Sequence, residues 1–282
     1  MKPQAIKRSR GATLVELVVV LTLLGVMASI GATLVSRIVA GQQDNHGRLT
    51  LAQAADGALT RVSTELEAAL PNSVRVTVNA AGTWIEWVPI QDAGRYRQAP
   101  DTVSGVAGDI LDLANAADNA FDVIGIALAT PSSDAQIVFS NLGTPEADAY
   151  IGTSRRAGLA ITNSGRHVAF TATTALGAGA GNARFFIVGT PITLACRIGS
   201  DNTLQLQRIT GYAWSAAQPV SSGAVAAATS TAVLLNKLVG CSAAYGTALA
   251  NIGLLNLRLS IGDGISTARM DFMQQLAVDN TP

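Results

Sequence analysis

A chain of 282 residues, 49% of them hydrophobic, is long enough to bury a sizeable core and too apolar to be disordered. The formal charge is zero, yet Lys2, Lys7, Arg8 and Arg10 all stand in the first eleven positions with no acid among them. The remainder carries 15 basic against 19 acidic residues, a mildly acidic balance that argues against nucleic acid as a partner.

The first element is an apolar run. Leu17 to Val35 is 19 residues without a charge, just enough for a helix to span a hydrocarbon core of ~30 Å. Basic residues precede it, which predicts a cytoplasmic leader and a chain that faces the other side after Arg37. A secretory signal peptide is the competing reading, with Met27-Ala28-Ser29-Ile30-Gly31-Ala32 as its cleavage region, but such runs span only about 7–15 residues. Glu16 stands at the entrance of the run. A carboxylate there costs roughly 2–3 kcal/mol unless it is paired or rests near the headgroups.

The sequence Arg10-Gly11-Ala12-Thr13-Leu14-Val15-Glu16-Leu17-Val18 resembles the signal of type IV prepilins and of the pseudopilins of type II secretion. The resemblance implies a short basic leader that a prepilin peptidase removes after Gly11, leaving Ala12 as the first mature residue. It implies N-methylation of Ala12, although the family usually has Phe there, and it makes Glu16 the fifth mature residue. A buried Glu16 carboxylate can neutralise the N-terminal amine of a neighbouring subunit, which would make it the charge that sets assembly register.

After the span, Leu49, Ala52, Ala55, Leu59, Val62, Leu66 and Ala69 recur at spacings of three and four. This predicts an amphipathic continuation of the same helix, closed by Pro71-Asn72, with Gly41, Gly47 and Gly57 as weak points. Short strands are expected next, at Val74–Val78, Thr83–Val88, Gln136–Ser140, His167–Thr171, Arg184–Val188, Ile192–Ile198, Leu204–Ile209, Leu254–Ile261 and Ala268–Met273. Thr231–Gly240 reads as a strand or a short helix. Ala114–Asn119, Ala175–Asn182 and Ser221–Ser230 read as loops.

The expected class is α+β: a long N-terminal helix packed on an antiparallel sheet, as in the pilin architecture. The expected domains are a leader at 1–11, a transmembrane and assembly helix at 12–36, its amphipathic continuation at 37–71, and a β-rich periplasmic or extracellular domain at 72–282. Cys196 and Cys241 are either a disulfide on the exported side or two buried free thiols. No second Cys or His lies at metal-ligand spacing from either.

No nucleophile, zinc, phosphate-loop or dinucleotide motif occurs, and the two histidines, His46 and His167, lie far apart. Asp109–Asp118 and Asp263 offer hard oxygen ligands for calcium, but the first lacks the spacing of a calcium-binding loop. The expectation is a non-catalytic protein without cofactor or metal.

The stretches Glu67–Arg75, Phe185–Cys196, Leu204–Tyr212 and Leu234–Cys241 resemble the O-type minor pilin of MSHA-type pili and, more distantly, the J-type minor pseudopilin. That resemblance implies a scarce subunit near the filament tip that helps begin assembly. Its implied partners are the prepilin peptidase, major and minor pilin subunits, the assembly platform and the inner membrane. A filament-tip adhesin and a single-span anchored periplasmic binding protein are the alternative readings.

Overall fold

The computed structural model describes residues 13–100, 108–172, 174–176, 183–249, 252–262 and 269–281. Its elements are a helix α1 (Leu14–Glu67) and the strands β1 (Arg75–Asn79), β2 (Gly82–Trp87), β3 (Ile90–Tyr96), β4 (Ala120–Ile124), β5 (Gln136–Val138), β6 (Arg155–Arg156), β7 (Ala160–Thr162), β8 (His167–Ala169), β9 (Arg184–Val188), β10 (Ile192–Ile198), β11 (Leu204–Thr210), β12 (Ser230–Leu249), β13 (Ile252–Gly262) and β14 (Arg269–Asp279). By contacts the chain divides into two compact units, residues 1–53 and 54–282.

The first unit is described by α1 alone, which runs unbroken through Gly25, Gly31, Gly41 and Gly47. In the second unit the same helix becomes one-sided. Ala55, Ala58, Leu59, Val62 and Leu66 are buried, whereas Leu49 in the first unit is exposed. Burying a side chain the size of Leu or Val contributes about 1.5–3 kcal/mol. An ion pair from Glu65 Oε2 to Arg208 Nε, 2.8 Å, fastens this stripe to β11.

Among the described residues the strands form two antiparallel sheets of seven. Sheet I has the order β1-β2-β10-β11-β12-β13-β14, and sheet II the order β6-β5-β9-β3-β4-β8-β7. The strand Leu204–Thr210 points Arg208 and Leu206 to the helix side. The opposite face of sheet I carries Trp84, Ala195 and Ile209, covered by Tyr212 and Val225 of the following loop. Sheet II closes over Tyr96, Phe121, Phe139, Phe170 and Phe185, whose ring centroids lie 5.0–6.5 Å apart at mostly edge-to-face angles. Gly94 on β3 is required there, because a Cβ would lie 2.7 Å from Phe185 Cζ.

The end of α1 joins the sheets. Leu70 N–H donates to Val88 O at 2.8 Å, and Ile90 N–H donates to Ala68 O at 2.9 Å, beside the connection from β2 to β3. Leu70, Val88, Val138, Tyr150, Phe186 and Val188 pack around these bonds. The C-terminus returns to the same place. Asn72 N–H donates to Asn280 Oδ1 at 3.0 Å, Asn72 Nδ2 donates to Asn141 O at 2.9 Å, and Asn280 Nδ2 donates to Tyr245 Oη at 3.0 Å.

The α+β class is observed, with differences in detail. The helix ends at Glu67 rather than at Pro71-Asn72, because residues 68–70 already pair with the chain around Pro89. The β-rich part holds two sheets, not one. Strands β3, β4, β6 and β7 were not expected: β3 contains Asp92 and Gly94, and β6 and β7 are only two and three residues long. The strand expected over Gln136–Ser140 stops at Val138, and Ser140 turns with φ 48°. The strand expected over His167–Thr171 stops at Ala169. Thr231–Gly240 lies within a 20-residue strand, and the last strand runs on to Asp279. Ala268 and most of Ala175–Asn182 lie outside the described residues.

Cys196 and Cys241 are joined in a disulfide with a Cα–Cα distance of 6.3 Å. It links β10 to β12, which are separated in the sheet by β11. Register shifts against β11 and a φ of 60° at Lys237 bend β12 shortly before Cys241. The bridge closes a sequence separation of 45 residues. Replacing both cysteines by Ser is therefore expected to lower unfolding stability by about 2–4 kcal/mol. Urea titration of the full chain in detergent, followed by fluorescence of buried Trp84 and Trp87, measures this.

Candidate functional site

Two places concentrate unusual chemistry: the N-terminal part of α1, and a charged cluster at the junction of the sheets.

At the N-terminus, Thr13 caps α1. Its Oγ1 accepts the Glu16 N–H at 3.3 Å, and its carbonyl accepts the Leu17 N–H at 3.2 Å. Thr13 and Glu16 thus stand at the N-cap and third helical positions, the spacing of a capping box, and Glu16 lies in the first turn beside the positive end of the helix dipole. Leu14–Val39 is 26 residues long and apolar enough to cross a membrane. Its hydroxyls are turned inward onto the backbone: Thr22 to Val19 O, Ser29 to Val26 O, Thr33 to Ile30 O and Ser36 to Ala32 O, all at 2.7–2.9 Å. The outward surface of this stretch is consequently apolar apart from Glu16 and Arg37, with Leu14, Leu17, Leu21, Leu24, Met27, Leu34 and Val35 exposed.

At the sheet junction, Glu86 is fully buried on β2. Arg75 Nε donates to its Oε2 at 2.6 Å and Tyr212 Oη donates to its Oε1 at 3.0 Å. The Arg75 guanidinium also donates to Ala216 O and Ser215 O, and lies 3.6 Å from the Tyr150 ring centroid. Trp214 packs edge-on against Tyr150, and Arg155 lies 4.1 Å over the Trp214 ring. Burial raises the Glu86 carboxyl above its usual value of 4.5, against the opposing pull of Arg75 and Tyr212. Burial, with the Glu86 charge nearby, likewise pushes the Tyr212 and Tyr150 hydroxyls up. A carboxylate closed off from solvent and fully bonded cannot meet a substrate. It ties β1, β2 and the loop after β11 together within sheet I, and holds Arg75 against Tyr150, from which the contacts run on to sheet II.

A smaller ionic cluster sits on sheet II. His167 Nδ1 lies 3.0 Å from Asp122 Oδ1 and 3.9 Å from Asp109 Oδ2. Partial burial would raise the Asp122 carboxyl, but the Asp109 N–H and His167 hold it below its usual value. This pair fastens β4 to β8. The Asp109–Asp118 stretch uses its carboxylates on backbone N–H groups, Asp118 on Asp112 and Asp112 on Ala114. Among the described residues, no three His, Cys, Asp or Glu side chains gather as a metal site.

Of the residues singled out from the sequence, Glu16 lies at the start of α1 and Cys196 is bonded to Cys241, on sheet I. Gly11, Ala12 and Asp263 lie outside the described residues. His46 is an exposed helix residue. The cap Thr13 was missed, although Thr-x-x-Glu before an apolar run signals it. The Arg75–Glu86–Tyr212 brace left no signal, since its members are up to 137 positions apart along the chain.

Residues 6–32 match the family model described as the prokaryotic N-terminal methylation motif. The N-terminal segment is type IV prepilin-like. The matched stretch covers about a tenth of the chain and takes in Thr13, Glu16 and most of the apolar stretch Leu14–Val39. Comparison with curated proteins and with solved structures gives no match.

The brace makes a prediction of its own. Arg75→Ala leaves a buried, uncompensated carboxylate and is expected to cost about 3–5 kcal/mol, part of which Glu86→Gln recovers in the double variant. The raised carboxyl means the folded state holds its proton more readily than the unfolded state. Stability attached to Glu86 is therefore full below 4.5 and falls as pH rises through the folded-state value. Removing Arg75 raises that value further, so Arg75→Ala regains stability on acidification where the double variant does not. Urea midpoints across pH check both points.

Proposed function

We propose that this chain is a minor pilin or pseudopilin, a non-catalytic subunit assembled into a type IV pilus or type II secretion pseudopilus. The observation that carries the reading is the methylation-motif match at residues 6–32, lying on an apolar helix whose sole carboxylate in the stretch Leu14–Val39 is Glu16.

In this reading a prepilin peptidase cuts between Gly11 and Ala12, and the new amine of Ala12 is methylated. The helix holds the subunit in the inner membrane, with the two-sheet part in the periplasm, until the assembly platform adds it to other pilins. Glu16 then faces the amine of a neighbouring subunit. A charge pair in hydrocarbon is tolerated only when matched, so each subunit is held to one axial position. A large β-rich part suits a sparse subunit that starts or caps the filament better than one repeated along the shaft. The likeness to O-type and J-type minor subunits supports the same placement.

Expressed with a prepilin peptidase, the protein is expected to begin at Ala12. Without the peptidase it is expected to keep its first eleven residues. Intact mass and N-terminal sequencing distinguish these, and a cut near Ala32 or no peptidase-dependent cut rejects the reading. Glu16→Ala is expected to leave membrane insertion intact and to lower recovery in sheared filaments by roughly tenfold or more. Immunoblots of filament and membrane fractions measure that ratio.

A further inference from the structure

The strand β14 closes one edge of sheet I. Residue by residue, from Arg269 opposite Gly262 to Asp279 opposite Ile252, it pairs with β13 without a register shift. Among the described residues no strand pairs its other side. Its outer backbone groups therefore form a regular template about 34–37 Å long. Soluble proteins blunt such edges with charge, proline or a bulge. Here Arg269, Asp271 and Asp279 sit toward the ends, and Phe272 to Val278 contains no charge, proline or glycine. The odd-numbered side chains are exposed, while Met270, Phe272, Gln274, Leu276 and Val278 are partly or fully buried on the other face.

The sequence of this edge is complementary to its own reverse. When two copies of β14 run antiparallel about a two-fold axis through Gln274, Arg269 of each copy stands opposite Asp279 of the other. On the opposite face, Met270 meets Val278, Phe272 meets Leu276, and the two Gln274 side chains meet each other. Other registers are worse. A slip of one residue sets exposed positions against buried ones. A slip of two either leaves both Arg269–Asp279 pairs unmade or places Asp271 opposite Asp279, a like-charge contact that destabilises the pair.

We propose that the outer edge of β14 binds a second copy of this chain, joining two sheets I through antiparallel pairing centred on Gln274. The contact consists of on the order of ten ladder hydrogen bonds, two apolar cross-strand pairs on each side of the axis, and an ion pair at each end. Arg269 is available for it. Its guanidinium already donates from Nε to Asp271 and from Nη2 to Ser260, and it has five N–H groups in all. Asp279 accepts the Thr281 N–H, feels the Thr281 side chain and the Arg184 charge as well, and as a two-oxygen acceptor can take a further donor. The inference is independent of the filament reading and stands or falls without it.

The test uses the full chain purified in detergent, with light scattering corrected for the micelle. The expected protein mass is twice the 28.9 kDa of one chain. Arg269→Asp, and separately Asp279→Arg, put like charges opposite each other at both ends and are expected to weaken the dimer by roughly tenfold or more. Combining the two restores it. Gln274→Cys is expected to give a disulfide-linked dimer on oxidation, whereas Asp279→Cys, whose mate lies about 34 Å away, gives none. Melting curves establish that each variant is folded. A chain that stays monomeric at all concentrations overturns the proposal. So does a dimer indifferent to both single exchanges and not linked through Cys at 274, which would be held by α1 instead.

Discussion

Burial of one stripe of α1 is the constraint on which the second unit depends. Ala55, Ala58, Leu59, Val62 and Leu66 have no place in water, and the Glu65–Arg208 pair fixes the helix onto β11. With the helix so placed, its end can reach the chain around Pro89, and β1 can begin beside β2. The stripe is narrow, with Ala55 and Ala58 at its start, which lets the helix approach a sheet closely there while leaving its other faces polar. Over Leu14–Val39 the same helix is apolar almost all round, a pattern suited to lipid or to other helices but not to the surface of a soluble protein.

The junction of the sheets is held differently, by polar groups kept dry. Glu86 is the most exacting of these, since a carboxylate in that position is tolerable only with Arg75 and Tyr212 in place. Such a cluster adds less net stability than an apolar one of the same volume, but it admits few alternative arrangements. Tyr150, Trp214 and Arg155 extend it from sheet I to the β5–β6 end of sheet II by ring and cation contacts. Two sheets joined by two short connections, β2 to β3 and β9 to β10, and a small apolar patch are thereby given a defined relation.

Local patterns made part of this legible beforehand. The apolar run and the Gly11-Ala12…Glu16 signature are contiguous, and the stripe from Ala55 to Leu66 repeats every three or four residues. The strands Arg184–Val188 and Ile192–Ile198 coincide with their expected ranges because they are apolar runs bounded by turn residues. The helix end was misplaced because the competing partner, the backbone around Pro89, lies some twenty positions downstream. Sheet II was missed where its strands are too short to show alternation, and where β3 carries Asp92 and Gly94, residue types that strands disfavour, although Gly94 is there to make room for Phe185. The brace was invisible, since nothing about Glu86 in isolation distinguishes it from a surface residue. At the N-terminus the motif was readable, whereas the Thr13 cap emerged only with the hydrogen bonds of the first turn.

The link from Asn280 to Asn72 ties residues 208 positions apart. During synthesis, at about 5–20 residues per second, the end of α1 leaves the ribosome roughly 10–40 s before the asparagine that secures it. Through that interval β13 and β14 do not yet exist, and the stripe on the helix has no finished sheet to lie against. The two alanines among its five buried residues keep the stripe narrow, and a narrow apolar surface attracts chance partners weakly. The link to Asn72 waits for the residue just after β14, so a chain that stopped before Asn280 would lose the clasp at the far end of its own helix.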